Sequence, residues 1–135
     1  PAGGTNNMSY RRQVLLEVGG FDESFGPRVW GEDADLKLRI TRRGGVLLYV
    51  PVWVVHLRDY SLRSLLRQSF QRGRGEAHFR LKHEGRRGWP AALRRLVLAP
   101  AKLAAAPLRQ DPPRQAVAAL ADAAHALGLL TYHTR

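Results

Sequence analysis

The stretch "VLLYVPVWVVHL", residues 46–57, limits the fold more than any other part of this chain. Its β-branched and aromatic side chains suit a pleated, half-buried surface. Pro51 stands at its centre with no amide hydrogen to donate, so the run is expected as two short strands or one bulged edge strand. His56 falls at its C-terminal end. A lone histidine there is ordinarily a strand-end residue. Yet open α/β sheets place their ligands at the C-terminal ends of strands, where a histidine could join oxygen ligands from elsewhere around a divalent metal.

Helical patterns flank this run. Ser9 is a candidate N-cap for a helix carrying Val14, Leu15 and Val18 at helical spacing, and Gly19-Gly20 is its stop. A second helix is expected over 31–43, with Leu36 and Ile40 on its buried stripe and Gly44-Gly45 beyond it. Ser61 should cap a third over 62–72, which could continue after a kink through "RGRGEAHFRLKHEGRRG". From about residue 86 the chain turns Ala/Leu/Pro-rich. Pro90, Pro100, Pro107 and Pro112-Pro113 are expected to divide it into short helices. No apolar run there reaches the ~20 residues of a spanning helix. The expected organisation is a unit over 1–83 and a basic, Ala-rich helical tail over 84–135.

The chain has 135 residues, 44% of them hydrophobic, which is enough for one domain with a core. It has no cysteine, which excludes disulfides, thiolate zinc sites and cysteine nucleophiles. Residues 1–10 lack the basic and apolar regions of a signal peptide, and a chain opening on Pro1 is expected to be a fragment or a processed form. The formal net charge of +11 is unevenly placed: residues 57–95 hold eleven basic and three acidic side chains, against seven and six in 1–45. Such a segment suits a polyanion, a phosphate-bearing small molecule or an anionic membrane surface. Nineteen of the 22 basic residues are arginine, the side chain for bidentate phosphate or carboxylate contacts. Arg72 and Arg74, beside Gly73 and Gly75, are either a solvated face or a clamp on a diphosphate.

Glu32, Asp33 and Asp35 crowd the start of the second helix, and Arg39, Arg42 and Arg43 occupy its end. This matches the helix dipole at both termini, so the plain reading is a well-capped helix. A sharper reading rests on Trp30 and Gly31, an aromatic wall and a flexible approach point just before the acids. Glu32 and Asp33 are adjacent and point to different sides, so one can serve the helix start while the other faces a cleft as a general base.

Taken in order, "GGTNNMSYRR", "VGGFDESF", "WGEDADLKLRITRRGGVLLYVPVWVVHLR" and "SLRSLLRQSFQRGRG" resemble the C-terminal half of the family 2 glycosyltransferases, over about residues 3 to 75. The resemblance implies an α/β fold: the acceptor-side portion of an inverting GT-A, Rossmann-like nucleotide-diphospho-sugar transferase, followed by short helices. It implies that Asp33 takes the proton from an acceptor hydroxyl as that oxygen attacks the anomeric carbon of a nucleotide-sugar. Asn6, Trp30, Gly31 and Glu32 would shape the acceptor pocket, with Trp30 as a platform for a sugar ring. Glu32 and Asp35 would also serve the helix start. His56 would bind a divalent metal, Mg or Mn, shared with residues outside this chain, and Arg72 and Arg74 would face the diphosphate. The implied partners are a nucleotide-sugar and a glycan or lipid-linked acceptor in cell-envelope polysaccharide synthesis. The implied location is the cytoplasm, with peripheral contact at an anionic membrane face.

Two departures qualify that resemblance. The Asp-x-Asp metal motif and the donor half are missing, since Asp33-Ala34-Asp35 lies within the acidic helix. The Gln-x-x-Arg-Trp motif of processive members is also missing, because "QSFQRG" has its arginine one place late and glycine for tryptophan. The isolated chain is therefore expected to be inactive, and a complete enzyme to add one or a few sugars. The competing reading is a non-catalytic basic module for a membrane surface or nucleic acid. Aromatic Phe70, Phe79 and Trp89 interleave the arginines, but the acidic cluster would repel a nucleic-acid backbone.

Overall fold

Ser61 accepts the Ser64 N–H at 3.2 Å on its side-chain oxygen, and from this cap helix α3 (Leu62–Glu84) runs for 23 residues without a break. Gly85, in the left-handed conformation, ends it. The computed structural model describes residues 7–26, 29–55, 57, 61–86 and 88–132. Before α3 come α1 (Arg12–Glu17), a 3-10 turn at Glu23–Phe25 and α2 (Glu32–Arg42). After it come α4 (Trp89–Ala105), a 3-10 turn at Ala106–Leu108 and α5 (Pro112–Leu130). The expected stop at Gly19-Gly20 is present, both glycines having positive φ. Ser9 does not cap α1: Arg11 is its N-cap, with no side-chain bond to the helix.

The α/β expectation, and with it the GT-A, Rossmann-like portion, is overturned. Among the described residues there is no β-strand and every regular element is helical. The physical reason lies in residues 46–55. Their backbone leaves the helix at Gly44-Gly45, but among the described residues no strand lies beside it. Its described bonds are Val52 N–H to the Val50 carbonyl at 2.8 Å and the Asn7 side-chain amide to the Val52 carbonyl at 3.3 Å. β-propensity measures fit to neighbouring strands, so without a neighbour the pattern makes no ladder. Tyr49 and Trp53 are 88% and 94% exposed. His56 lies outside the described residues.

The tail also departs from the short helices expected, because three of its prolines stand where a helix tolerates them. Pro90 is in the first turn of α4, and Pro112 and Pro113 open α5. No amide hydrogen is needed there. Asp111 caps α5 by accepting the Arg114 N–H at 3.4 Å. Pro100 lies inside α4 and removes one hydrogen bond without ending the 17-residue helix.

α5 packs along both α3 and α4. Ala77, Ala92, Ala126, Leu129 and Tyr132 form that core, with Val29, Leu96 and Leu130 against it. The α3–α5 crossing depends on missing side chains. A Cβ on Gly73 would lie 1.9 Å from the His125 carbonyl oxygen, and one on Gly128 would lie 1.9 Å from that of Phe70. A second small core holds Val18, Leu36 and Ile40 between α1 and α2.

Glu76 fastens the three long helices together. It accepts hydrogen bonds from Arg80 Nε on its own helix at 2.8 Å, Arg95 of α4 at 3.3 Å and His125 of α5 at 2.7 Å. The His125 bond, opposed by burial and aided by the charge of Arg95, lowers its carboxyl from 4.5 to about 2. The folded value is the lower one, so this stabilisation is full above the unfolded value and fades as pH falls from about 4.5 to 2. Glu76→Gln should therefore cost about 2–3 kcal/mol at neutral pH and flatten the acid limb of the stability profile across that window. Urea titrations at stepped pH measure this. Parallel acid limbs for the two proteins would contradict it.

Candidate functional site

Gly31 is the N-cap of α2 at φ 123°, a conformation that favours glycine. Two contacts hold it there. A Cβ on Gly31 would lie 3.2 Å from the Phe25 ring, and one on Gly75 of α3 would lie 1.5 Å from the Trp30 carbonyl oxygen. The backbone of Trp30-Gly31 thus rests directly on α3. Glu32 turns back to accept the Gly31 N–H at 2.9 Å, so it serves the helix start as expected.

Asp33, the next residue, is half-buried, and its Oδ1 accepts the Ala34 N–H at 2.7 Å. It belongs to neither of the ion-pair hubs of the fold. Tyr10, whose hydroxyl donates to Met8 Sδ at 3.4 Å, lies within range of its charge. Burial, and then the negative charge of Asp33, raise the Tyr10 phenol above its ordinary value. Arg72 lies with its guanidinium 5.1 Å from the centre of the Trp30 ring. The expected sugar platform is therefore covered on that face by the expected diphosphate ligand.

Asp35 does not serve the helix start. It is fully buried and takes bonds from Lys82 at 2.6 Å, His83 at 2.7 Å and Arg39 at 2.8 Å. Burial pushes its carboxyl up, but the bonds from Lys82, His83 and Arg39 outweigh that and hold it below the usual range. Arg39 also donates to the carbonyls of Val18 at 2.5 Å and Gly20 at 2.6 Å, closing the end of α1. Arg42 donates to His83 Nδ1 at 3.0 Å, which places the ring proton on Nε2, facing Asp35. Lys82 also reaches Asp22 at 2.5 Å and holds that carboxyl far below its ordinary value. A surface recess of about 420 Å³ beside the hub, lined by Asp22, Arg39 and Lys82 among others, has its cations committed to these carboxylates.

To the consecutive Trp30, Gly31, Glu32 and Asp33 the structure adds one distant predicted residue, Arg72, against the Trp30 ring. Arg74, two residues along α3, has its Nε buried without a hydrogen-bond partner. Asn6 and His56 lie outside the described residues. Among the described residues no group of three His, Asp or Glu side chains is placed to hold a metal ion. The sequence reading missed Tyr10, which feels the charge of Asp33 from 23 positions away with no shared motif joining them. No family model, no curated protein and no solved structure matches this chain.

Proposed function

We propose that this chain carries the acceptor-binding, base-bearing part of an inverting glycosyltransferase. The observation that carries the reading is the division of labour within one acidic turn. Asp35 is locked in a buried hub and Glu32 bonds the Gly31 amide, while Asp33 sits half-buried outside the hubs, three positions after Trp30, with its charge felt by Tyr10. The ordered resemblance over residues 3 to 75 supports the same assignment.

In this mechanism the acceptor hydroxyl lies within hydrogen-bond reach of Asp33 and gives its proton to the carboxylate as its oxygen attacks the anomeric carbon. The bond to the nucleoside diphosphate breaks on the opposite face, which inverts the configuration. Arg72 is a cation seated against the aromatic wall, and leaving Trp30 for the departing diphosphate would expose the ring. A divalent metal would supply further charge neutralisation to the leaving group when bound.

The test uses a protein in which this chain is joined to a donor-binding portion. Asp33→Asn should lower kcat by about 10²–10⁴-fold while the nucleotide-sugar Kd stays unchanged. A variant that keeps most of its rate would remove Asp33 from the role of base.

A further inference from the structure

Helix α4 buries one face and leaves another apolar face in the open. Ala92 and Ala99 are buried and Leu96 and Leu103 half-buried, on the side that meets α5. Trp89, Leu93 and Val97 follow at four-residue spacing on a different face and are 51%, 53% and 75% exposed. Exposed Ala101 and Ala104 extend this ridge, and Leu108, 89% exposed, stands just beyond it.

The charges along the ridge are one-sided. α4 contains no Asp or Glu; exposed Arg94 lies within it, and exposed Arg86, Arg109 and Arg114 lie just before and after it in the chain. The nearby carboxylates are occupied: Glu84 with Arg80 and Arg86, Asp122 with Lys102, and Asp111 with the cap of α5. No helix among the described residues is long and apolar enough to cross a membrane. An apolar ridge with a tryptophan at one end and a cationic margin has the chemistry of a helix lying in the plane of a bilayer surface. We infer that α4 docks on an anionic phospholipid surface, with Trp89, Leu93 and Val97 in the headgroup–acyl boundary and Arg94 and Arg109 at the phosphates. The inference is independent of the transferase reading, since it uses none of that site's residues.

Flotation of the full 135-residue chain with phosphatidylcholine vesicles, with and without phosphatidylglycerol, tests it. The chain should float with the anionic vesicles at low salt, remain behind with phosphatidylcholine alone, and be released by high salt. Leu93→Glu with Val97→Glu should reduce the bound fraction about tenfold or more with the far-UV circular dichroism unchanged. Arg94→Glu tests the margin separately, with an expected loss of about fivefold. If the Glu pair lowers helicity, Leu93→Ser with Val97→Ser supplies the same comparison. Absence of wild-type flotation, or equal flotation of wild type and a folded ridge variant, overturns the inference. So does sedimentation of the lipid-free chain as a dimer that the ridge variant abolishes, since the ridge would then be covered by a second copy.

Discussion

Asp35→Asn is expected to lower the unfolding free energy by about 3–5 kcal/mol, a large part of the stability of a chain of this size. The carboxylate is fully buried, and its three partners come from two helices: Arg39 from α2, and Lys82 and His83 from α3. An amide of the same shape removes the charge and leaves those donors facing a weaker acceptor. Lys82 keeps Asp22, but Arg39 is also needed at the carbonyls of Val18 and Gly20, so the loss reaches the end of α1. Asp33→Asn, two positions away, should cost no more than about 1 kcal/mol, the scale of a charge at a helix start. Urea unfolding of the two variants makes the comparison. Equal losses would mean that the acidic turn stabilises the fold only through the helix dipole.

Gly75→Ala is the second large effect, with an expected destabilisation of at least about 2–3 kcal/mol, although alanine is the better helix former by about 1 kcal/mol. The new methyl would fall 1.5 Å from the Trp30 carbonyl oxygen and 2.4 Å from its carbon. That neighbour is backbone, so no side-chain rotation relieves the overlap. The Trp30-Gly31 segment must lift from α3, taking the start of α2 and the Arg72–Trp30 contact with it. Thermal unfolding reports the loss. A stable, unchanged protein would show that this crossing has slack that the distances deny.

Several local signals were legible in the sequence, although Ser9 does not cap α1 and Pro100 does not end α4, and those that depend on distant partners were not. The Ser61 cap, the Gly19-Gly20 stop and the acid-to-base polarity of α2 follow from backbone chemistry within a few residues, and all three are present. The carboxylates were harder. Glu32 serves the helix start as its position suggests, but Asp35 has the same local credentials and is claimed by Lys82 and His83, 47 and 48 positions on. The α/β expectation failed for a related reason. Residues 46–57 have strand composition, and a strand needs a neighbour that composition cannot supply. The glycines of α3 stand beside the arginines read as a possible diphosphate clamp. Gly73 and Gly75 instead admit the backbones of α5 and of Trp30.

The exposed run around Pro51 has a consequence for how the chain behaves at high concentration. Val50, Val52, Val54 and Val55 all stand more than half exposed, with Trp53 almost wholly so. Segments of this composition, about six or seven residues long, stack into dry steric zippers when chains meet. Pro51 divides the run near its middle, and a proline can neither donate to a stacked ladder nor flatten into it. It thus acts as a gatekeeper, keeping the apolar residues on its two sides from joining into a single fibril-forming strand.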